Sequence, residues 1–178
     1  SNIKADNGDY NGAIAIQNTL ATRYKIDKNF LNHGIMLGNI ARCYYNMGNY
    51  PKAMRGYIDA LKVLDTISDE PFRKADIFRD VGRLSYSRGN YEESLEYFRK
   101  ALDIYKQTSD SLYQAYTLND MANTYTSQNQ SDKALDLYIQ SLEISRNNNF
   151  IDNESNALSN IGSIYKEKGN YQKALKNL

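Results

Sequence analysis

The sequence predicts an all-α protein, a solenoid in which one pair of antiparallel helices is stacked repeatedly. Three observations predict this fold. A short turn motif recurs at a nearly fixed interval, the apolar residues between the motifs follow a helical period, and small residues recur at matching positions of successive units. A unit of this kind cannot bury its apolar face alone, so neighbouring units must stack to form a continuous core.

The turn motif is a glycine followed by asparagine or aspartate and then by tyrosine. It stands at Gly8-Asp9-Tyr10, Gly48-Asn49-Tyr50, Gly89-Asn90-Tyr91 and Gly169-Asn170-Tyr171. A degraded copy, Asn129-Gln130-Ser131, keeps the interval at 40 or 41 residues throughout. Glycine suits the left-handed residue at the end of a helix. Asparagine suits the cap of the next helix, and Glu93, three residues after Asn90, predicts a capping box there.

The residues between the turns predict two amphipathic helices in each unit. Leu37, Ala41 and Tyr44 lie three or four residues apart, so they share one helical face. We expect the first helices at Asn32–Met47, Pro71–Arg88, Ser111–Gln128 and Asp152–Lys168. We expect the second helices at Asp9–Tyr24, Asn49–Thr66, Asn90–Gln107 and Ser131–Arg146, with a short one from Asn170.

The turns divide the chain into the units of a single array over residues 1–178. The units span approximately residues 1–30, 31–70, 71–110, 111–150 and 151–178. The first unit holds a second helix only, and the last unit is incomplete. Neither end shows a polar capping helix, so we expect a fragment of a longer array.

Small residues stand in register where two helices must approach closely. They are Ala41, Gly82, Ala122 and Gly162 in the first helices, and Ala13, Ala53, Ser94, Ala134, Ala174, Ala60, Ala101 and Ser141 in the second. Large residues fill the volume between them, at Tyr44, Tyr125 and Tyr165 in the first helices and at Tyr57, Phe98 and Tyr138 in the second. This order of small, aromatic and small residues resembles the tetratricopeptide repeat. The resemblance covers the chain from about Gly8 onward and implies a right-handed superhelix.

The units are longer than the usual tetratricopeptide repeat of about 34 residues, and no proline closes them. They resemble the extended repeats of kinesin light chains, of LGN-type spindle adaptors and of bacterial Rap regulators. The resemblance implies that the first helices line a concave groove that binds a peptide or protein segment. It also implies that the chain is not an enzyme.

Composition argues against several other classes of function. The formal net charge of +1 gives no basic footprint for nucleic acid, and no apolar run is long enough for membrane insertion. Cys43 is the only cysteine and His33 the only histidine, so no metal site is expected. No phosphate-binding loop or nucleophile elbow occurs, so we expect neither a cofactor nor catalysis. Composition does not decide between the cytoplasm and the periplasm.

One polar register of the first helices is the predicted peptide-binding site. Asn39, Asp80, Asp120 or Asn160 stands two residues before each small residue, and an asparagine there can both donate to and accept from a peptide backbone. The neighbouring positions expected to face the same groove are Arg42, Tyr45, Arg79, Arg83, Tyr86 and Asn123. The arginines predict an acidic or carboxylate-terminated partner, whereas the two aspartates would repel one. In the alternative interpretation these side chains bond to the next helix and fix the stacking angle.

These observations predict a module that binds a protein or peptide segment in its groove. A second interpretation is the sensory or dimerising region of a larger bacterial signalling regulator, which would work through a helix face or an array end. We also expect self-association through the array ends. The reason is that Leu175 and Leu178 would cover the apolar side of Ile161, Ile164 and Tyr165 incompletely.

Overall fold

The computed structural model describes residues 9–67 and 70–177, with side chains as far as Ala174. The helices are α1 (Tyr10–Ile26), α2 (Phe30–Asn46), α3 (Tyr50–Leu64), α4 (Pro71–Ser87), α5 (Tyr91–Gln107), α6 (Ser111–Ser127), α7 (Ser131–Asn148), α8 (Ile151–Glu167) and α9 (Tyr171–Asn177). The even-numbered helices are the first helices of the units and the odd-numbered helices are the second. No strand occurs in these two ranges, so the predicted all-α fold is confirmed.

Every predicted helix is present, and each end lies within two residues of its predicted position. Helix α2 begins earlier than predicted because Asn29 caps it, its side-chain oxygen accepting from the Asn32 N–H at 3.1 Å. Helix α7 runs on to Asn148 because the left-handed residue that ends it is Asn149, with φ 59°.

The recurring turn uses a left-handed residue, as the glycines predict. The φ angles are 73° at Gly48, 78° at Gly89 and 72° at Gly169. In the degraded copy Asn129 takes the same conformation with φ 58°, which asparagine tolerates better than most residues with a side chain. The turn geometry is therefore kept where the glycine is lost.

The predicted capping box at Asn90 is wrong, and the reason is a side-chain pair that joins the two helices of each unit. In three units a lysine near the start of the second helix lies over a tyrosine of the first. The distances to the ring centroid are 5.1 Å for Lys52 over Tyr44, 5.4 Å for Lys133 over Tyr125 and 5.3 Å for Lys173 over Tyr165. The remaining unit, residues 71–110, has Ser85 and Glu93 at these positions. There the Ser85 hydroxyl donates to Glu93 Oε2 at 2.8 Å. Glu93 therefore faces the first helix, and the Asn90 side chain makes no capping bond to the backbone.

The small residues predicted at the helix contacts are all buried. Those of the first helices and those of the second helices leave almost no surface exposed. A further small residue, Gly56 of α3, packs against Ala41 of α2 so closely that a Cβ at position 56 would lie 2.9 Å from the Ala41 Cβ. The close approach of paired helices therefore depends on more small residues than those that recur from one unit to the next.

The chain divides into two compact units, residues 1–84 (unit 1) and 85–178 (unit 2). A core cluster of unit 1 consists of Ala13, Ile14, Ala21, Ile40 and Cys43. Unit 2 has one cluster of Leu95, Phe98, Leu102, Leu118 and Met121, and a second of Ala122, Ala134, Tyr138, Leu142, Ala157, Ile161 and Ile164. A single array over residues 1–178 stays a prediction. The predicted end contact of Leu175 and Leu178 lies outside the described side chains.

Candidate functional site

The first helices of unit 1 form a small polar pocket that contains two of the predicted site residues. Asn39 and Arg42 reach it from α2, and Arg73 and Asp76 reach it from α4. Its volume is about 80 Å³, and its remaining lining is apolar or glycine. Gly38 of α2 lets α4 come close, since a Cβ there would lie 2.5 Å from Ile77 Cδ1. We call this pocket together with Asp80 the α2–α4 face.

An ion pair joins the two helices beside the pocket. The Arg42 guanidinium donates to Asp80 Oδ2 from Nε at 3.0 Å and from Nη2 at 2.7 Å. The Asp80 side chain is 12% exposed and that of Arg42 is 48% exposed. Burial acts to lower the pKa of Arg42, but the Asp80 carboxylate outweighs it, so the pKa is raised. Along α4 itself Asp76 pairs with Arg73 at 3.5 Å, whereas Asp80 pairs across to the preceding first helix.

A buried tyrosine of the second helix lies beneath this ion pair. Tyr57 of α3 is 1% exposed. Its pKa is raised, first by burial and then by the negative charge of Asp80, while Arg42 acts in the opposite direction. Tyr57 therefore stays neutral near the two charged side chains.

The other predicted residues of unit 1 border the α2–α4 face. Tyr45 is half-buried on α2, with its ring centroid 5.8 Å from that of Tyr50. Arg79 is half-buried and Arg83 exposed on α4. All the predicted unit 1 residues therefore lie on two successive first helices.

In unit 2 part of the predicted register is occupied by contacts within the protein. The Tyr138 hydroxyl of α7 donates to Asn123 Oδ1 at 2.5 Å, and the hydroxyls of Tyr86 and Ser127 lie 3.0 Å apart. Burial raises the pKa of Tyr138, with Asp120 contributing in the same direction. Asn123 therefore repeats the position of Arg42, because each lies over the buried tyrosine of its unit.

Within the predicted polar register of the first helices, the two asparagines differ from the two aspartates. Among the described residues neither Asn39 nor Asn160 has a hydrogen-bond partner, and both are half-buried. Asp80 is held by Arg42, and Asp120 also interacts within the protein. The alternative interpretation, in which this register bonds to neighbouring helices, therefore describes Asp80 and Asn123 but not Asn39 and Asn160.

Two residues considered for chemistry have structural contacts instead. His33 Nδ1 lies 3.0 Å from the Ala21 carbonyl oxygen of α1. Cys43 is buried, its thiol donates to Gln17 Oε1 at 3.7 Å, and burial raises its pKa. Within residues 9–67 and 70–177 no group of metal-binding side chains occurs. No helix in these ranges is long and apolar enough to cross a bilayer.

Sequence reasoning missed three residues of the α2–α4 face: Arg73, Asp76 and the underlying Tyr57. The alternation of Asp76 with arginines favours a solvated helix surface, and the spacing of Tyr57 predicts core packing alone. Their helical spacing from Asp80 and their register beneath Arg42 carried the signal. To predict these contacts one must know how each helix is rotated relative to the next, and a single sequence does not show this.

Comparison with family models gives two matches, and both describe the tetratricopeptide repeat. One covers residues 73–147 and the other residues 155–178. No curated protein sequence matches the chain significantly.

Solved structures share the fold at low sequence identity. BtubC (BKLC) from P. vanneervenii is 21% identical with a TM-score of 0.86, over 99% of this chain and 73% of that one. A Podosopora anserina protein described as a kinesin light chain with nearly identical TPR-like repeats is 14% identical, with a TM-score of 0.77 over 99% and 87%. Aspartyl phosphate phosphatase F from Bacillus subtilis is 16% identical, with a TM-score of 0.90, over 98% of this chain and 46% of that one.

The family models and these folds agree with the repeating turns, the buried small residues and the paired helices described above. Tetratricopeptide arrays serve as protein-interaction scaffolds. The chain belongs to the tetratricopeptide repeat family.

Proposed function

We propose that this chain binds an extended segment of a partner protein along its first helices, with the α2–α4 face as the main contact. The observation that carries the proposal is the unused carboxamide of Asn39. It lines the pocket, and its donor and acceptor have no hydrogen-bond partner among the described residues. A peptide backbone offers the complementary N–H and C=O groups.

Charge favours an acidic segment on this face. Helix α2 and the part of α4 that belongs to unit 1 carry five cationic side chains and two acidic ones. They are Arg42, Arg73, Lys74, Arg79 and Arg83 against Asp76 and Asp80. The net charge of these helical segments is therefore +3, whereas the net charge of the whole chain is only +1. Arg42 pairs with Asp80, Arg73 with Asp76 and Lys74 with Asp65. The remaining surplus on these helices still favours an acidic partner.

In unit 2 we propose a weaker, backbone-directed contact at Asn160. Its carboxamide, like that of Asn39, has no hydrogen-bond partner in the described part of the chain. Asp120, Asn123 and Tyr86 would border a segment bound within unit 2, with Asn123 held in place by Tyr138.

Fluorescence anisotropy with labelled glycine–serine peptides of equal length tests the proposal. One peptide carries several aspartates, one carries asparagines and one carries lysines. We expect saturable binding of the aspartate peptide, weaker binding of the asparagine peptide and none of the lysine peptide. Asn39→Leu should weaken the first two, because it removes both hydrogen-bonding groups at nearly constant size.

The charge test uses a matched pair of double variants. Arg42→Glu with Arg83→Glu should abolish binding of the aspartate peptide. Arg23→Glu with Arg55→Glu changes the net charge equally on exposed positions of α1 and α3 and should leave binding nearly unchanged. Arg42→Glu should lower stability by about 1–3 kcal/mol, because Asp80 is only 12% exposed and loses its charged partner. Equal loss of binding in both double variants would contradict a site on this face.

A further inference from the structure

A second and larger cavity lies in unit 2, between the start of α6 and the start of α8. Its volume is about 410 Å³. Leu112 and Tyr116 of α6 form one side, and Phe150, Ile151 and Asn153 form the other. Ligand pockets generally range from about 300 to 1,000 Å³, so this volume admits one large side chain with its backbone.

Beside the cavity, two large residues of the preceding unit are replaced by small ones. In that unit Tyr105 of α5 stacks on Tyr113 of α6, with ring centroids 5.3 Å apart. At the matching positions, forty residues later, stand Ser145 and Asn153. Their side chains bond to each other instead, Asn153 Nδ2 donating to Ser145 Oγ at 2.6 Å. Two rings are thus exchanged for a compact polar pair, and the volume beside it is left open.

The side chain of Asn153, in the polar wall of the cavity, is held by a buried hydrogen-bond network. Asn153 is 1% exposed. Its Oδ1 accepts from Asn119 Nδ2 at 2.6 Å, and its Nδ2 also donates to Ser141 Oγ at 2.9 Å. These bonds use both groups of the Asn153 carboxamide. The rest of the lining is as polar as it is apolar, because Asn149 and Asp152 stand beside Leu112, Tyr116, Phe150 and Ile151.

The rim of the cavity carries one unpaired negative charge. Asp152 is exposed and lines the cavity, and it has no ion-pair or hydrogen-bond partner within residues 9–67 and 70–177. The next carboxylate along α8, Glu154, is already paired with Arg146 at 2.8 Å. A cation bound at the rim would therefore meet Asp152.

We propose that this cavity is a docking site for a partner protein segment in which a large apolar side chain adjoins a lysine or arginine. The apolar side chain fills the cavity against Tyr116 and Phe150, and the basic neighbour pairs with Asp152. Ile151, 73% exposed at the rim, extends the apolar surface beyond the cavity, which suits a chain that continues past the anchor. The site uses residues of unit 2 only and does not depend on the α2–α4 face.

The test is a titration of the isotope-labelled protein, followed by amide chemical shifts. The probes are capped glycine peptides that contain Phe-Lys, Phe-Gln or Ala-Lys at the centre, with phenethylamine as a small-molecule arm. We expect the Phe-Lys peptide to shift the amides of residues 149–153 and 112–116 in a saturable way. Phe-Gln should bind about two- to five-fold more weakly, the range of an exposed ion pair, and Ala-Lys should not bind.

Variants assign the two parts of the recognition. Asp152→Asn should remove the preference for Phe-Lys over Phe-Gln, whereas Asp136→Asn, an exposed carboxylate on α7, should not. Ser145→Leu introduces beside Asn153 the leucine found at the matching position of the unit 31–70, Leu64, and should weaken binding by taking up space next to the cavity. If that variant fails to fold, Ile151→Ser at the exposed rim should still weaken every Phe peptide.

Three outcomes would overturn the proposal. Equal shifts from Phe-Lys and Ala-Lys would mean that the cavity does not take the apolar side chain. Shifts outside unit 2 would place binding elsewhere. Binding of phenethylamine as strong as that of the Phe-Lys peptide would make the site one for small aromatic amines rather than for a protein segment.

Discussion

At the scale of single residues, turn geometry determines where helices end. Three positions between units place a residue with a side chain in the left-handed conformation: Lys28 with φ 55°, Ser109 with φ 54° and Asn149 with φ 59°. Residues other than glycine, asparagine and aspartate are strained there by contact of Cβ with the following carbonyl oxygen. Ser109 and Lys28 therefore carry local strain that glycine would relieve.

Ser109→Gly should raise stability by about 0.5–1 kcal/mol, because the relief of left-handed strain exceeds the added freedom of the unfolded chain. The change corresponds to a rise in melting temperature of about 2 °C for a chain of this length. Thermal melts followed by circular dichroism measure it. The matched control is Ser159→Gly in the helical interior of α8, which should lower the melting temperature. A fall for both variants would contradict the left-handed geometry at Ser109.

Some residues of the candidate site could be predicted from the sequence, and others could not. The position of Asn39 on a groove-facing register was predictable, because helical spacing from Ala41 fixes its direction. The ion pair of Arg42 with Asp80 was not, because it joins side chains 38 residues apart whose meeting depends on how far α4 is rotated. The bond from Tyr138 to Asn123 was hidden for the same reason.

At the scale of helices, close approach is the main requirement of the fold. Gly56 of α3 faces Ala41 of α2, and a Cβ at position 56 would also lie 3.3 Å from the Ala41 Cα. The clash involves backbone, so a side-chain movement cannot relieve it.

Gly56→Ala should therefore destabilise the protein by about 1–3 kcal/mol through overpacking. The result would be notable because alanine normally stabilises a helix by about 1 kcal/mol relative to glycine. Adding Ala41→Gly removes the opposing Cβ and should recover part of the loss. Chemical denaturation of the two single variants and the double variant measures the coupling. Stabilisation by Gly56→Ala alone would show that α2 and α3 lie further apart than described.

The pair that joins the two helices of each unit gives another prediction. Tyr–Lys in three units and Ser85–Glu93 in the fourth are alternative chemistries at one position. Ser85→Tyr and Glu93→Lys should each destabilise, because each leaves a mismatched partner. The double variant should be more stable than the sum of the single changes predicts, by about 0.5–1 kcal/mol from the cation–π contact. Simple additivity in a double-mutant cycle would contradict the exchange.

At the scale of the whole molecule, the sequence was sufficient for the fold because it is repeated. Each turn was seen several times, so a single degraded copy such as Asn129-Gln130-Ser131 did not hide the period. The cavity beside Asn153 could not be predicted. It arises where a unit departs from the pattern, and a departure such as Ser145 for Tyr105 shows its effect only when the packed volume is known.

Binding of a partner segment to the α2–α4 face is tested most directly by mapping amide chemical shifts during titration with the aspartate peptide. We predict saturable shifts centred on the helices that carry Asn39, Arg42 and Arg73, with the shifts lost in Asn39→Leu while the melting temperature stays nearly constant. Saturable shifts confined to the second helices α1 and α3, with those of α2 and α4 unmoved, would contradict it.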